Sequence, residues 1–240
     1  MNIKIRRPYQ FNDSLERIDR ILDGYVKGEG FSQDIKKAKP DLPQNTGARV
    51  EGTVLIITFF AEGDAKLINK LKVYRAFSSE AISILSANED CEDIHTSGNR
   101  IIAFFNTPFK KKIEKAVDNA ASICSLADVI NKKARNSGYP TIKVSTGLAF
   151  GDMLMMRFST YDNLDKRQPE EVQYISPIIS KAEMLCNRGF EAVKSRLYIS
   201  DSIFNNLSLD YKKFFHKLDD QGTSYGADLH NVAMNNWLCK

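Results

Sequence analysis

No stretch of this chain approaches the roughly twenty consecutive apolar residues that cross a bilayer, so a membrane span is not expected. The first residues carry no apolar signal core, and a cytoplasmic location is expected. Cysteine is scarce and scattered. Cys91, Cys124, Cys186 and Cys239 show no CxxC spacing, which argues against a zinc site and a disulfide framework and for reduced thiols. The three histidines, His95, His216 and His230, have no acidic or thiol partner at metal-ligand spacing. Neither sign of charge dominates: a net +4 over 240 residues is too small and too dispersed to indicate nucleic acid. The densest basic run, Lys110, Lys111 and Lys112, opens a predicted helix, where it reads as a solvated face.

What is present is an ordinary globular composition, 42% apolar and 27% charged. Residues 12–26 read as an amphipathic helix, with Leu15, Ile18, Ile21, Leu22 and Tyr25 at helical spacing and Asn12 or Asp13 as cap. A polar stretch, 36–47, reads as a linker. The run VLIITFF at 54–60 has the β-branched and aromatic density of a buried strand, with Gly63 as its exit turn. Residues 64–85 then read as a helix whose stripe contains Leu67, Leu71, Tyr74, Phe77, Ala81 and Ile84.

Gly98-Asn99 turns a predicted hairpin between 94–97 and 101–105. A long helix over 110–135 follows, and a second predicted hairpin, 142–150 and 153–158, turns at Gly151-Asp152. Residues 172–175 form a strand that runs into a helix opened by Ser176-Pro177, with Ser as cap and Pro at the first turn. A last strand, 197–199, leads to a helix capped by Ser200. The order βαββαβ with an αβα tail predicts an α+β fold, a ferredoxin-like sheet covered by helices on one face. The expected division is 1–46 (N-terminal helix and linker), 47–207 (the core) and 208–240 (a polar C-terminal extension anchored by Trp237).

That order fits several functions. The local strings are more specific: GTVLIITFF, HTSGNRIIAFF followed by NTPFKK, VSTGLAFGDMLMM, VQYISPIISKAEMLCNRG and LYISDSIFNNL. Their order and spacing resemble the class III nucleotidyl cyclases, and most of all the Pycsar pyrimidine cyclases of bacterial anti-phage defence. The N-terminal SLERIDRIL, the TP-plus-basic helix start and the GYPTIKV strand entry carry the finer resemblance. It spans about residues 14–207.

Such a resemblance implies a reaction in which the 3′-oxygen of a nucleoside triphosphate attacks its own α-phosphorus, assisted by two divalent metals. It also implies head-to-tail dimers. In the family two Asp residues hold the metals, and a helix of the second protomer supplies an Asn for the ribose and a basic group for the transition state. This sequence departs at each position. The strand-end metal position is read as Thr58 and the hairpin position as Asn99, after the retained Gly98; the ribose and transition-state positions are read as Ser180 and Met184. Neutral groups cannot supply the charge that a hard dication takes from carboxylates.

Glu62 and Asp64 are the candidate displaced metal ligands, and Asp152 reads as a turn residue. Phe59, Phe60, Ala61, His95, Gly98 and Pro177 are the expected nucleotide contacts. The resemblance with its losses implies a pseudo-cyclase that binds a nucleoside triphosphate or a protein, pairs with itself or with a related cyclase, and needs no cofactor. The competing expectation is an active pyrimidine cyclase, making cUMP or cCMP with Mg or Mn on displaced ligands. An RNA-binding module of similar topology is disfavoured, because the Phe59-Phe60 and Phe104-Phe105 pairs place only alternate rings on either sheet face.

Overall fold

The structure, a computed structural model, describes residues 33–40, 42, 46–158, 171–191, 195–218 and 223–240, with 15–16, 18–19, 22–23 and 26–27 nearer the N-terminus. Of the N-terminal helix, Leu15, Ile18 and Leu22 are helical and exposed; Asn12, Asp13, Ile21 and Tyr25 lie outside the described residues.

In chain order the elements are β1 (Val26–Lys27), β2 (Gln33–Asp34), α1 (Ile35–Ala38), β3 (Thr46–Ala61), α2 (Leu67–Ser86), β4 (Cys91–Ser97), β5 (Arg100–Phe105) and α3 (Lys110–Asn136). There follow β6 (Ile142–Phe158), β7 (Glu171–Ile175), α4 (Pro177–Glu191), β8 (Leu197–Ser200), α5 (Asp201–Asn206), α6 (Leu209–Lys212), β9 (His216–Lys217), β10 (Ser224–Ala227) and α7 (Val232–Leu238). Among the described residues ten strands join one mixed sheet, with β4-β5-β3-β6-β8-β10-β9 in order; β1 and β2 flank β3, and β7 flanks β6.

The sheet is organised by an antiparallel ribbon of β3 and β6, paired without a break from Thr46↔Arg157 to Ala61↔Ile142. This replaces the predicted second hairpin. Gly151 does not turn the chain but sits in mid-strand at φ 155°, opposite Gly52. A side chain at Gly52 would run into the Phe105 carbonyl, and Gly151 opposite it holds a φ that other residues rarely adopt, so the glycine pair carries the ribbon on past the end of β5. The first hairpin forms as read, with Gly98 at φ 60° in its turn.

Alternation along β3 feeds two cores. Leu55, Ile57 and Phe59 face α2 and α3, against Phe77, Leu85, Val117 and Cys124. Val50, Val54 and Ile56 face the other way, against Ile35 of α1, Tyr174, and Ala182 and Cys186 of α4. Helices therefore cover both faces of the sheet, not one. The α2 stripe is also shifted: Val73, Phe77, Ala81 and Leu85 are buried, while Leu67 and Leu71 are exposed.

Three further segments are more built than their sequence suggested. The stretch read as linker places Ala38 and Leu42 in the second core, next to Ile35. Lys112 is not solvated but meets the buried carboxylate of Asp90 at 2.6 Å. In the C-terminal region β10 pairs with β8, and α7 is tied to α3: Asn231 donates through its backbone to Ser125 and through its amide to Ser122. Trp237 lies under the ammonium groups of Lys132 and Lys133.

Candidate functional site

The site that the sequence points to is the end of β3, where the β4–β5 turn closes against it. Asn99 builds this closure. Phe59 N–H donates to the Asn99 carbonyl at 3.1 Å, and the Asn99 side-chain amide donates back to the Phe59 carbonyl at 3.0 Å. The side chain is thus spent on extending the β3–β5 pairing by one residue.

Pleat alternation decides which β3 side chains reach this point. Thr58 does not. It is 4% exposed, covered by α4, and its hydroxyl accepts from the Cys186 thiol at 3.4 Å. Phe59 also belongs to the interior, on the opposite face, with its ring 5.2 Å from Tyr74 and 4.6 Å from Phe77. The side chain that emerges on the α4 face at the strand end is Phe60, 45% exposed and set edge-on against Phe190 of α4 at 4.9 Å.

Around Phe60 lie two cations and one carboxylate. Arg100, one residue past Asn99, donates to Glu183 of α4 at 2.6 Å, with both side chains partly exposed. Lys143 lies opposite Phe60 on β6 and holds its ammonium 5.8 Å from the Phe190 ring.

The other candidates divide. Ala61 N–H donates to the Tyr74 hydroxyl. Glu62 accepts from Thr141 Oγ1 at 3.1 Å, which holds it at the start of β6, and Asp64 is solvent-exposed. His95 is half-buried on β4 with its ring against Phe104 at 5.4 Å. Asp152 is paired with Arg49 across the ribbon, and burial together with Asp152 raises the Glu51 carboxyl above its usual pKa. On α4, Pro177, Ser180 and Met184 lie on the exposed flank, while Ala182, Leu185 and Cys186 face the sheet. Glu183, next to Met184, is tied to the strand end through Arg100, while Ser180 and Met184 themselves are exposed on α4.

Sequence reasoning missed Arg100, Glu183, Lys143 and Phe190. Only the i, i+2 relation between Thr58 and Phe60 could have indicated that the open position lay one pleat further on. Among the described residues no three His, Cys, Asp or Glu side chains cluster as metal ligands would.

α4 itself is seated very tightly. Ser145 Oγ donates to the Cys186 carbonyl at 2.6 Å, and a methyl on Gly147 would overlap the Ala182 carbonyl and the Cys186 nitrogen. Gly189 is pressed in the same way against Ser145.

The fold that places a strand end, a glycine hairpin and a following helix in this way has solved counterparts. The adenylyl cyclase CyaB of Pseudomonas aeruginosa superposes with a TM-score of 0.59 at 14% identity, over 78% of this chain and 97% of its own. The guanylyl cyclase Cya2 gives 0.58 at 11% identity, over 78% and 95%. This chain has the fold of the class III nucleotidyl cyclases.

A third counterpart of this fold is a class III adenylyl cyclase-like ATP-binding protein of P. aeruginosa, with a TM-score of 0.65 at 12% identity over 95% of this chain and 48% of its own. No protein-family profile matches the sequence. In sequence the chain is similar to a uridylate cyclase of Gulbenkiania mobilis, 23% identical over 96% of both chains. It is also similar to a uridylate cyclase of Treponema porcinum, 23% identical over 70% of this chain and 59% of the relative.

Proposed function

We propose that this protein is a pseudo-cyclase: a uridylate-cyclase-like domain of the anti-phage type that acts by binding a nucleotide or a protein, without making a cyclic product. The observation that carries the reading is the chemistry of the β3 strand end. The open position there is a phenyl ring against Phe190, the hairpin amide is committed to the strand backbone, and the neighbouring charges are Lys143 and Arg100, the latter paired with Glu183. Two divalent cations need carboxylate oxygens, and this donor set does not fit them. The basic character suits a triphosphate held without metal, with Arg100 and Lys143 as charge partners.

Ser180 and Met184 remove the groups that a second protomer would contribute. Loss of one transition-state donor typically costs about 10²–10³ in rate, and the two halves fail together. Exposed Leu67, Ile68 and Leu71 at the start of α2 support a paired form, with a second copy or with a related cyclase. The cyclase-like ATP-binding counterpart also suits a binding role. The competing reading, an active pyrimidine cyclase with Mg or Mn on Glu62 and Asp64, draws on the names of the two uridylate cyclases. Against it, Glu62 is engaged by Thr141.

The test is calorimetry against ATP, GTP, CTP and UTP with and without Mn²⁺, alongside an assay for cyclic product. The expected outcome is no cyclic nucleotide, and any binding unchanged by EDTA and weakened by Arg100→Ala or Lys143→Ala. Cyclic UMP or CMP formation that is lost in Glu62→Gln or Asp64→Asn overturns the proposal.

A further inference from the structure

The face of the sheet away from α4 carries a furrow between α2 and α3. Two adjoining hollows form it, of about 320 and 740 Å³, and both are lined by Lys72, Ala76, Ile130 and Lys133. These volumes lie in the range of small-ligand sites, roughly 300–1,000 Å³. Its floor is apolar, made by Val73, Ala76, Leu126 and Ile130. Tyr139 closes one end and Met234 of α7 the other.

The charge on its rim is uneven. Lys72 and Lys133 border the Tyr139 end, and Arg75 follows Lys72 by one turn of α2. Lys72 donates to the Tyr139 hydroxyl at 3.3 Å, and Lys133 lies over the Trp237 ring at 5.3 Å. Among the described residues none of these three cations has a carboxylate partner. The acid on the lining is Glu80, two turns further along α2, toward Met234.

We propose that this furrow binds a small amphipathic anion, with a carboxylate or phosphate head among Lys72, Arg75 and Lys133 and an apolar body running toward Leu126 and Met234. From Lys72 to Glu80 the furrow follows α2 for about 12 Å at 1.5 Å per residue, the length of an extended chain of about ten carbons. An acidic helix is the poorer match. It would spread its charge along the furrow, and its far end would meet Glu80. The furrow lies on the opposite face of the sheet from the β3 strand end, so its occupancy can be read independently of any cyclic nucleotide assay.

The probes are dodecanoate, below its micellar concentration, and its neutral counterpart dodecan-1-ol, below its solubility limit, titrated into the full chain by calorimetry and by displacement of 1-anilinonaphthalene-8-sulfonate. Dodecanoate is expected to bind about tenfold more tightly than the alcohol and to weaken as salt rises. Ala76 is exposed on its helix, so Ala76→Trp can block the floor with the fold retained, which circular dichroism checks. That variant is expected to lose about tenfold or more in dodecanoate affinity, and Lys133→Glu about two- to fivefold. Equal affinity for the alcohol, or unchanged affinity in Ala76→Trp, overturns the proposal. So does capture by the furrow of an acidic amphipathic helical peptide with no dodecanoate binding, which would make it a protein-docking face.

Discussion

At Thr58 and Phe60 a displacement of two residues along one strand separates a roofed hydroxyl from an open ring. Aspartate at the two positions should therefore behave oppositely. Thr58→Asp buries a carboxylate beneath α4 with a thiol as its neighbour, and is expected to cost about 3–5 kcal/mol. Phe60→Asp gives up an edge-on ring contact at a half-exposed site, at about 1–2 kcal/mol. Urea unfolding of the two variants measures the difference; equal losses would contradict the register of β3.

The thiols offer a second check. Burial pushes Cys124 and Cys91 up to about 12 and also raises Cys186, whereas Cys239 is exposed. A thiol reagent at pH 8 should modify Cys239 rapidly, half-buried Cys91 slowly, and Cys124 and Cys186 only on unfolding. Burial, reinforced by the Asp93 and Asp118 carboxylates, likewise raises Tyr174 and Tyr211. All five groups have folded pKa values above their unfolded ones, so the stability they confer is complete below about pH 9 and is lost as pH rises toward 12. The melting temperature should fall above pH 9, and Cys124→Ala should shallow that fall.

Which of Thr58 and Phe60 reaches the strand end was not legible in TFFAEG. Both lie on the same face, and only the position of α4 decides which of them is covered. Asn99 was legible, because Gly98-Asn99 is a local turn signal.

Among the elements, α4 depends most on single atoms. It crosses β3 and β6 where Gly147 and Gly189 leave no room for a methyl group, and its seat is fixed by the Ser145 and Cys186 hydrogen bonds. Gly147→Ala must push the helix off the sheet. It is expected to cost about 3 kcal/mol, at the upper end for overpacking, and to break the Arg100–Glu183 pair. Arg100→Ala alone should cost under about 1 kcal/mol, because that pair is partly exposed. Thermal denaturation compares the two, and near-equal losses would show that the helix seat is softer than its packing implies.

Most elements could be read in the sequence because hydrophobic period and caps agree, as at Ser200, whose hydroxyl accepts from Ile203 N–H. The β6 strand could not. A Gly-Asp pair between two apolar runs signals a turn, and only its register with Gly52 on a distant strand shows that the strand runs on through it. The stretch 36–47 failed for a related reason: its lysines are conspicuous, while its buried anchors, Ala38 and Leu42, are isolated in sequence.

For the molecule as a whole, the proposed pairing, with a site divided between two chains, yields a test of partnership. Paired head-to-tail with an intact relative, this protein would offer Phe60 and Asn99 to one site and Ser180 and Met184 to the other. Neither site would be complete. Titrated into the uridylate cyclase of G. mobilis, it is expected to lower cyclic UMP production in proportion to a co-eluting mixed dimer. Stimulation would refute the half-site count, and no effect with no complex would show that the two do not pair.

The long β3–β6 ribbon also has a consequence for how the chain reaches this state. β3 lies at the centre of the sheet, yet its β6 partner is synthesised only after α2, the first hairpin and α3 have all been made. At roughly 5–20 residues per second, a β-branched and aromatic strand stays without that neighbour for several seconds on the ribosome. β5 arrives sooner and can cover one edge of its C-terminal half. The other edge must wait, so the yield of folded protein should depend on translation speed and on chaperones that shield residues 54–60 until β6 emerges.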